Sequence, residues 1–323
     1  MIRKYENIEY LRAFSAIGIV LMHVLINGNY EISGFLFRKI IPSFTDLVFL
    51  FMVISGFSMC CGYYHRIIKN EIELDDFYKK RFKKIWPFFA FLCFVDFIIS
   101  PSINSLCELI ADLTLCFGFL PNPNLSVIGV GWFLGLIFVF YIIFPFFCFL
   151  LKNRKRAWVS FMISVVFNLL CIYYFDVERT NIIYSSMYFI AGGLLFLYKE
   201  EIVKIFESRK WLVIILLLIS IIAYYNFNIY SVCALLISIV LLSICIIFPE
   251  GGNKFISFIS GISFEIYLSH MVMFRLLEKF NFLRVTTNET LSYLVSSIIV
   301  LVLSVVFSYI AKLLIIKIKN KII

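Results

Sequence analysis

Long apolar runs, separated by short polar segments, dominate the chain. Within each run the apolar residues are continuous and do not alternate with polar ones, which is typical of fully buried helices and not of half-buried strands. A helix of about 20 apolar residues crosses the roughly 30 Å hydrocarbon core of a bilayer. The pattern predicts ten membrane-spanning helices at residues 8–26, 44–63, 85–99, 131–151, 157–176, 183–198, 211–225, 229–248, 255–276 and 291–316.

Composition supports this prediction, because 62% of the 323 residues are hydrophobic and the mean hydropathy is +0.98. Soluble domains contain only about 45–50% apolar residues. Lipid offers the backbone no hydrogen bonds, so segments that span it form helices or closed barrels. We therefore predict an all-α integral membrane protein in which residues 1–323 form one polytopic domain. The first run contains Arg12 and no small-residue cleavage site follows it, so we expect it to be retained and not removed as a signal peptide.

Lysine and arginine residues indicate the orientation of the chain, because cytoplasmic loops are enriched in them. With the N-terminus in the cytoplasm, cytoplasmic segments carry 22 of these residues, including Arg3 and Lys4, and outer segments carry 6. This asymmetry predicts that both termini are cytoplasmic. The same orientation accounts for the net charge of +9, so no nucleic acid partner is needed.

The segment 105–120 is the one apolar stretch that we do not count as a span. It is short, and Glu108 and Asp112 lie on one face if it is helical. A crossing here would invert every later loop and place most of the following basic residues outside. We therefore predict an interfacial or re-entrant element.

Few ionisable residues lie within the predicted spans, where each costs roughly 2.5–3.5 kcal/mol on insertion scales. Arg12 and His23 are eleven residues apart. On a helix, this spacing makes their side chains point in directions that differ by about 20°, and it separates them by about 16 Å along the axis. The predicted orientation places Asp46, Trp132 and His270 near the outer ends of their helices, in the same layer as His23.

Each of these residues also has a simpler interpretation. Arg12 could be an anchor whose charged end reaches the interface, and Asp46 could interact with a helix N-terminus. A histidine within a span could bond to a neighbouring helix, and Trp132 could belong to the aromatic belt at the membrane surface. Their joint occurrence in one layer favours a functional site.

Five short motifs occur in order along the chain. They are Ile8 to Arg12 with His23, Phe51 to Phe57 with Ser55, Arg81 to Pro87 with Lys84, Trp132 to Leu134 with Tyr141 and Pro145, and Ile266 to His270 with Tyr267. In these motifs the chain resembles the acyltransferase-3 family of membrane O-acyltransferases, and the resemblance covers most of its length.

Two departures from the family pattern stand out. Lys84 occupies the position of a second arginine and cannot offer the bidentate fork of a guanidinium group to a phosphate. Ile137 and Phe138 occupy positions where one branch of the family carries glutamates. In the second departure the chain resembles the branch of the family that has a Trp-Phe-Leu helix, and many members of that branch act on sugars. We expect no fused esterase-like domain after the tenth helix.

The resemblance implies that acetyl-CoA, or another short acyl-CoA, is the donor and binds from the cytoplasm. It implies a cell-surface glycan or a lipid-linked sugar as acceptor, and a location in the inner membrane of a bacterium. Lys80, Arg81, Lys84 and Arg12 form a candidate cationic patch for the phosphates of coenzyme A. No metal is expected, and the oligomeric state stays open.

Our mechanistic hypothesis makes His23 the general base that takes the proton of the acceptor hydroxyl, a role worth about 10²–10⁴-fold in rate. Asp46 would orient His23, as the third member of a catalytic triad does. His270, Tyr267 or Arg12 would stabilise the oxyanion. Ser55, Trp132, Tyr141 and Tyr267 are further candidate residues of the substrate site.

Two other functions fit the same pattern of charges. A transporter or flippase for lipid-linked glycans also needs buried charges and a polar path, although the chain shows no obvious inverted repeats. A non-catalytic component of a polysaccharide assembly would tolerate substitution of Arg12 and His23.

Overall fold

The computed structural model describes residues 5–120 and 128–322, with side chains up to Lys317. Arg3 and Lys4, part of the predicted basic N-terminal segment, lie outside the described residues. The described residues form helices joined by short connections and contain no strand. This confirms the all-α fold class.

We number thirteen helices in the described part of the chain. They are α1 (Asn7–Asn27), α2 (Leu36–Ile68, a continuous helical run), α3 (Leu74–Ile99), α4 (Ile103–Thr114), α5 (Trp132–Leu151), α6 (Arg154–Tyr173), α7 (Ile182–Leu197), α8 (Lys199–Phe206), α9 (Lys210–Asn226), α10 (Tyr230–Ile247), α11 (Lys254–Gly261), α12 (Ser263–Lys279) and α13 (Glu289–Ile322).

Six of these helices are long and apolar enough to cross a membrane, namely α1, α2, α5, α6, α10 and α13. The α7–α8 pair is bent by 68° and the α11–α12 pair by 65°, and the number of candidate spans rises to eight if each bent pair is one span. The predicted spans 85–99 and 211–225 fall in α3 and α9, which are not among these candidates in the described residues. The count of ten and the cytoplasmic termini therefore stay predictions.

The segment 105–120 does not form a long helix. α4 has 12 residues and is therefore about 18 Å long, too short to cross the bilayer. It leads into a 3₁₀ turn in which Gly118 packs against Gly135 of α5, and a Cβ atom on either glycine would collide with the backbone of the other. The length agrees with the prediction that this segment does not span.

A second pair of glycines brings α2 and α7 together. A Cβ on Gly56 would collide with the carbonyl of Phe189, and a Cβ on Gly192 would collide with that of Val53. Small residues at helix crossings in membranes allow the backbones to approach closely and gain van der Waals contact. This crossing explains the glycine that follows Ser55 in the second motif.

The leading helix lies inside the bundle. α1 contacts α2, α10, α11, α12 and α13, so its polar face meets protein. The Arg12 and His23 side chains therefore face other helices, and each lines a cavity between them.

Candidate functional site

A cavity of about 480 Å³ lies between α1, α2, α3, α5, α11, α12 and α13. Four cationic side chains line it, and they belong to Arg12, Arg81, Lys84 and Lys312. Glu265 supplies the one carboxylate among the described lining residues. We call this space the cation-lined cavity. Its excess of positive charge suits a ligand that carries several negative charges.

Helix α3 presents Arg81 and Lys84 to this cavity because residues three apart share a helix face. Lys80 is rotated by about 100° from Arg81, is exposed, and is not part of the cavity lining. Arg81 donates a hydrogen bond from Nη2 to the hydroxyl of Tyr63 at 2.6 Å. The structure thus brings Arg12, Arg81 and Lys84 together, as predicted, and leaves Lys80 outside.

Aromatic rings also hold the Arg81 guanidinium in place. Its central carbon lies 4.7 Å from the ring centroid of Tyr63 and 5.8 Å from that of Tyr141. A guanidinium over an aromatic face is attracted by the ring quadrupole. Tyr141, a predicted substrate-site residue, therefore lines the cavity as a support for Arg81.

Arg12 is held by Ser58, the residue that directly follows the second motif. Its Nη2 donates to the hydroxyl of Ser58 at 2.9 Å, and Ser55, one turn earlier, lines the same cavity. Gly56 faces α7, so the two serines turn toward α1. The motif therefore combines a close helix crossing on one face of α2 with a polar cavity wall on another.

A second cavity, of about 280 Å³, lies near the other end of α1. We call it the histidine pocket. It is lined by Ile19, Met22, His23, Thr45, Val48, Trp132, Arg179 and Tyr267. His23 and Trp132 therefore meet in one place, as the sequence predicted.

His270 packs behind His23. The centroids of the two imidazole rings are 5.1 Å apart, and the His270 side chain is completely buried. The ring of Tyr267 lies 6.0 Å from that of His270. His23 is thus the imidazole that lines the pocket beside Tyr267, while His270 lies behind both.

Asp46 does not pair with His23 as predicted. Arg179 donates from Nη1 to Oδ1 of Asp46 at 3.2 Å, and the hydroxyl of Tyr224 donates to Oδ2 at 2.7 Å. Arg179 also donates from Nη2 to the backbone carbonyl of Thr45 at 2.9 Å. A fully charged guanidinium forms a stronger, charge-assisted bond to a carboxylate than a neutral imidazole does. Asp46 therefore orients Arg179 and not His23.

Arg179 in turn forms part of the pocket wall. Its guanidinium carbon lies 5.3 Å from the ring of Trp132 and 5.2 Å from that of Phe49. Because Asp46 neutralises its charge, Arg179 contributes directed hydrogen-bond donors to the pocket and little net charge.

The sequence predicted one enclosed route lined by Arg12 and His23. The structure instead places Arg12 in the cation-lined cavity and His23 in the histidine pocket. Of the described residues, only Tyr267 lines both. Its hydroxyl donates to the carbonyl of Val130 at 2.9 Å, which fixes the ring between the two spaces.

An ion pair between a partly exposed arginine and a buried aspartate holds the segment before α5 beside the histidine pocket. Arg275 donates from Nη1 to both carboxylate oxygens of Asp96, at 2.8 and 2.9 Å. The same carboxylate accepts the backbone N–H of Ile128 at 2.9 Å. These three hydrogen bonds connect α3 and α12 to the segment that precedes Trp132.

Sequence reasoning missed several of these residues. Lys312 was not among the candidate site residues, yet apolar residues flank it on both sides in the last helix, and a single cation in such a run was a usable signal. Glu265 within an apolar span was another. Tyr63 and Arg179 lie in segments without such a pattern, so their roles depend on the tertiary structure.

Across residues 5–120 and 128–317, no group of three or more histidine, cysteine, aspartate or glutamate side chains is placed to hold a metal ion. The polar groups that line the two cavities are mainly cations and hydroxyls, with the carboxylate of Glu265 and the imidazole of His23. These groups bind anions, transfer protons and donate hydrogen bonds.

Comparison with known proteins identifies the family. Searches of curated proteins and of solved structures found no significant match. The model of the acyltransferase domain family Acyl_transf_3, however, matches residues 5–312. This match covers nearly all of the sequence and includes every motif described above, and the chain therefore belongs to the Acyl_transf_3 acyltransferase family.

Proposed function

We propose that this protein transfers an acetyl group from cytoplasmic acetyl-CoA to a sugar hydroxyl of a cell-surface glycan or of a lipid-linked sugar. Family membership supports acyl transfer in general. The donor, the acceptor and the roles of individual residues are our inferences from the two cavities, and so is the placement in a bacterial inner membrane.

The donor is assigned from the charge of the cation-lined cavity. Coenzyme A carries several phosphate charges at one end and a thin thioester-bearing arm at the other. Cations are offered by Arg81, Lys84, Arg12 and Lys312, at the end of the bundle that the loop charges predict to face the cytoplasm. In this arrangement the phosphates bind among the cations and the arm extends toward Tyr267.

The acceptor is assigned from the histidine pocket. Trp132 offers an aromatic face, and Arg179 and Thr45 offer hydrogen-bonding groups beside it. Such a pocket suits a neutral ligand rich in hydroxyl groups, in which a few placed polar groups fix the orientation.

The proposed chemistry uses His23 as general base. Its imidazole takes the proton of the acceptor hydroxyl while that oxygen attacks the thioester carbonyl. The tetrahedral intermediate then collapses, the carbon–sulfur bond breaks, and the thiolate of coenzyme A receives the proton from the imidazolium. The products are the sugar ester and free coenzyme A, so no other reactant is needed.

One observation carries the proposal. Tyr267 is the shared wall between a cavity suited to an anionic donor and a pocket that holds an imidazole. Because Tyr267 is the residue that the two cavities share, a thioester bound beside it in the cation-lined cavity lies next to the histidine pocket. The transfer requires a hydroxyl in that pocket to reach the thioester carbonyl past the edge of the Tyr267 ring.

The proposal is tested by comparing His23→Ala with His65→Ala, a matched histidine that is exposed at the end of α2. Native membranes containing equal amounts of each variant are incubated with radiolabelled acetyl-CoA, and the label in the glycan fraction is measured. We expect His23→Ala to lower the rate by about 10²–10⁴-fold, the typical contribution of a general base, and His65→Ala to change it little.

Undiminished transfer by His23→Ala would contradict its role as general base. Proteoliposome measurements address the carrier alternative. Formation of acetylated glycan that depends on acetyl-CoA, without net movement of glycan, supports an enzyme. Glycan movement without acetyl-CoA would contradict the proposed function.

A further inference from the structure

Three aromatic rings form one cluster in the lining of the cation-lined cavity. Phe51, Phe133 and Tyr267 all line it, and they come from α2, α5 and α12. Their ring centroids are 6.1 Å apart for Phe51 and Phe133, 6.3 Å for Phe51 and Tyr267, and 5.2 Å for Phe133 and Tyr267. Each ring thus contacts the other two, and we call this group the aromatic wall.

The wall stands between the two substrate spaces. On its far side lies the histidine pocket, whose lining includes Tyr267 and Trp132. Trp132 is also in edge contact with Phe133, with ring centroids 6.3 Å apart. An acyl group that travels from the cations toward His23 therefore meets these rings before it meets the imidazole.

The members of the wall are held in different ways. Tyr267 is fixed by the bond from its hydroxyl to Val130. Phe51 and Phe133 are buried and have no polar atom in their side chains, so packing alone holds them. They are the two members whose size can be changed without breaking a hydrogen bond.

We propose that Phe51 and Phe133 set the upper limit on the length of the acyl group that the enzyme transfers. This inference depends on the proposed function, because it requires an acyl-CoA bound with its thioester toward the wall. An acetyl group ends at the rings. Each further methylene must displace close-packed aromatic side chains, and inserting methylenes into a well-packed interior is unfavourable.

The same geometry identifies a position at which a larger side chain would narrow the space for the acyl group. Ile137 lies on α5, four residues after Phe133, and it lines the same cavity. Residues four apart share a helix face. A larger side chain at Ile137 would therefore extend the wall toward the donor.

The test measures acyl-chain selectivity. Membranes with equal amounts of protein receive acetyl-, butyryl- or octanoyl-CoA, and release of coenzyme A that depends on the acceptor is followed by chromatography. We expect the wild type to use octanoyl-CoA at least tenfold less efficiently than acetyl-CoA. Phe133→Leu and Phe51→Leu should raise the octanoyl-to-acetyl ratio about tenfold, and Ile137→Phe should lower the butyryl-to-acetyl ratio.

Phe140→Leu is the matched control. Phe140 lies on the same helix as Phe133 and is equally buried, but it stacks on Phe189 with centroids 4.2 Å apart and does not line the cavity. Its substitution should leave the ratios unchanged. Thermal unfolding of all variants in lipid nanodiscs checks that they remain folded, and the use of two independent Phe→Leu variants guards against the failure of one.

The outcomes separate this inference from the proposed function. Use of acetyl-CoA and octanoyl-CoA at equal rates by the wild type would overturn the role of the wall while leaving acyl transfer intact. Unchanged ratios in both folded Phe→Leu variants would overturn it as well. If no acyl-CoA is consumed at any chain length, both the proposed function and the wall fail.

Discussion

The cation-lined cavity and the histidine pocket lie at opposite ends of the same helix and treat charge in opposite ways. In the cavity, four cationic side chains face the single carboxylate of Glu265. In the pocket, the charge of Arg179 is matched by Asp46 at 3.2 Å. The first region keeps an excess of positive charge, and the second has none.

We interpret this difference as suiting the two regions to unlike ligands. Cations that lack enough internal counter-charges are costly to gather in a protein, and a bound anion offsets that cost. A guanidinium already paired with a carboxylate attracts no anion strongly, but it can still donate directed hydrogen bonds. We therefore expect an anionic donor in the cavity and a neutral, hydroxyl-rich acceptor in the pocket.

The sharpest test of this comparison removes cations from the cavity. Hydrogen bonds to charged groups contribute about 1.5–3 kcal/mol each, so Arg81→Gln or Lys84→Gln should raise the KM for acetyl-CoA roughly 10- to 100-fold. Lys80→Gln is the control, because Lys80 lies on the same helix outside the cavity. The measurement is steady-state kinetics at saturating acceptor, and an equal rise in KM for Lys80→Gln would mean that general surface charge binds the donor.

A second test breaks the charge balance of the pocket. Arg179→Gln leaves the Asp46 carboxylate without its cation, and we expect a loss of about 1–3 kcal/mol in stability, below the 3–5 kcal/mol seen for fully buried pairs. The double variant Asp46→Asn with Arg179→Gln should recover much of this loss, because no unpaired charge remains. Thermal unfolding in nanodiscs measures both. A double variant as unstable as the single one would show that the pair does not balance charge.

The smallest expected effect is the response to salt. Mobile ions screen exposed charges over about 10 Å at 0.1 M ionic strength and about 3 Å at 1 M. Raising potassium chloride should therefore weaken donor binding several-fold and leave the KM for the acceptor nearly constant. A sucrose series of equal osmolality controls for effects on the membrane. Equal salt dependence of the two KM values would contradict the contrast between the regions.

The predicted spans show where sequence reasoning succeeds. Hydrophobic length located α1, α2, α5, α6, α10 and α13, because a largely apolar run of about 20 residues has the length of a helix that crosses the bilayer and satisfies its own backbone hydrogen bonds. The 68° bend between α7 and α8 was not predicted. The bend occurs at Tyr198, and neither a proline nor a glycine lies at this position to indicate it. Hydropathy cannot reveal such a bend, because it measures which solvent a segment prefers and not the direction of the helix axis.

The candidate site shows the same division. Helical periodicity predicted that Arg12 and His23 share a face of α1, and each lines a cavity, although not the same one. The same periodicity is consistent with Arg81 and Lys84 sharing a face of α3. The predicted pairing of Asp46 with His23 was wrong, because Arg179 lies in a loop more than 130 positions away and no local pattern announces it. The separation of the two cavities by Tyr267 was missed for the same reason.

The sequence by itself determined that the chain needs a non-aqueous solvent. It also determined which residues share a face of one helix. Both properties depend on the identity and spacing of side chains that are neighbours along the chain. Only the tertiary structure decided that Lys312 joins Arg12, that Arg179 takes Asp46, and that Tyr267 stands between cavity and pocket. The physical reason is that charge pairing and ring packing act across the space between helices. Which helices become neighbours depends on close contacts such as those at Gly56 and Gly192.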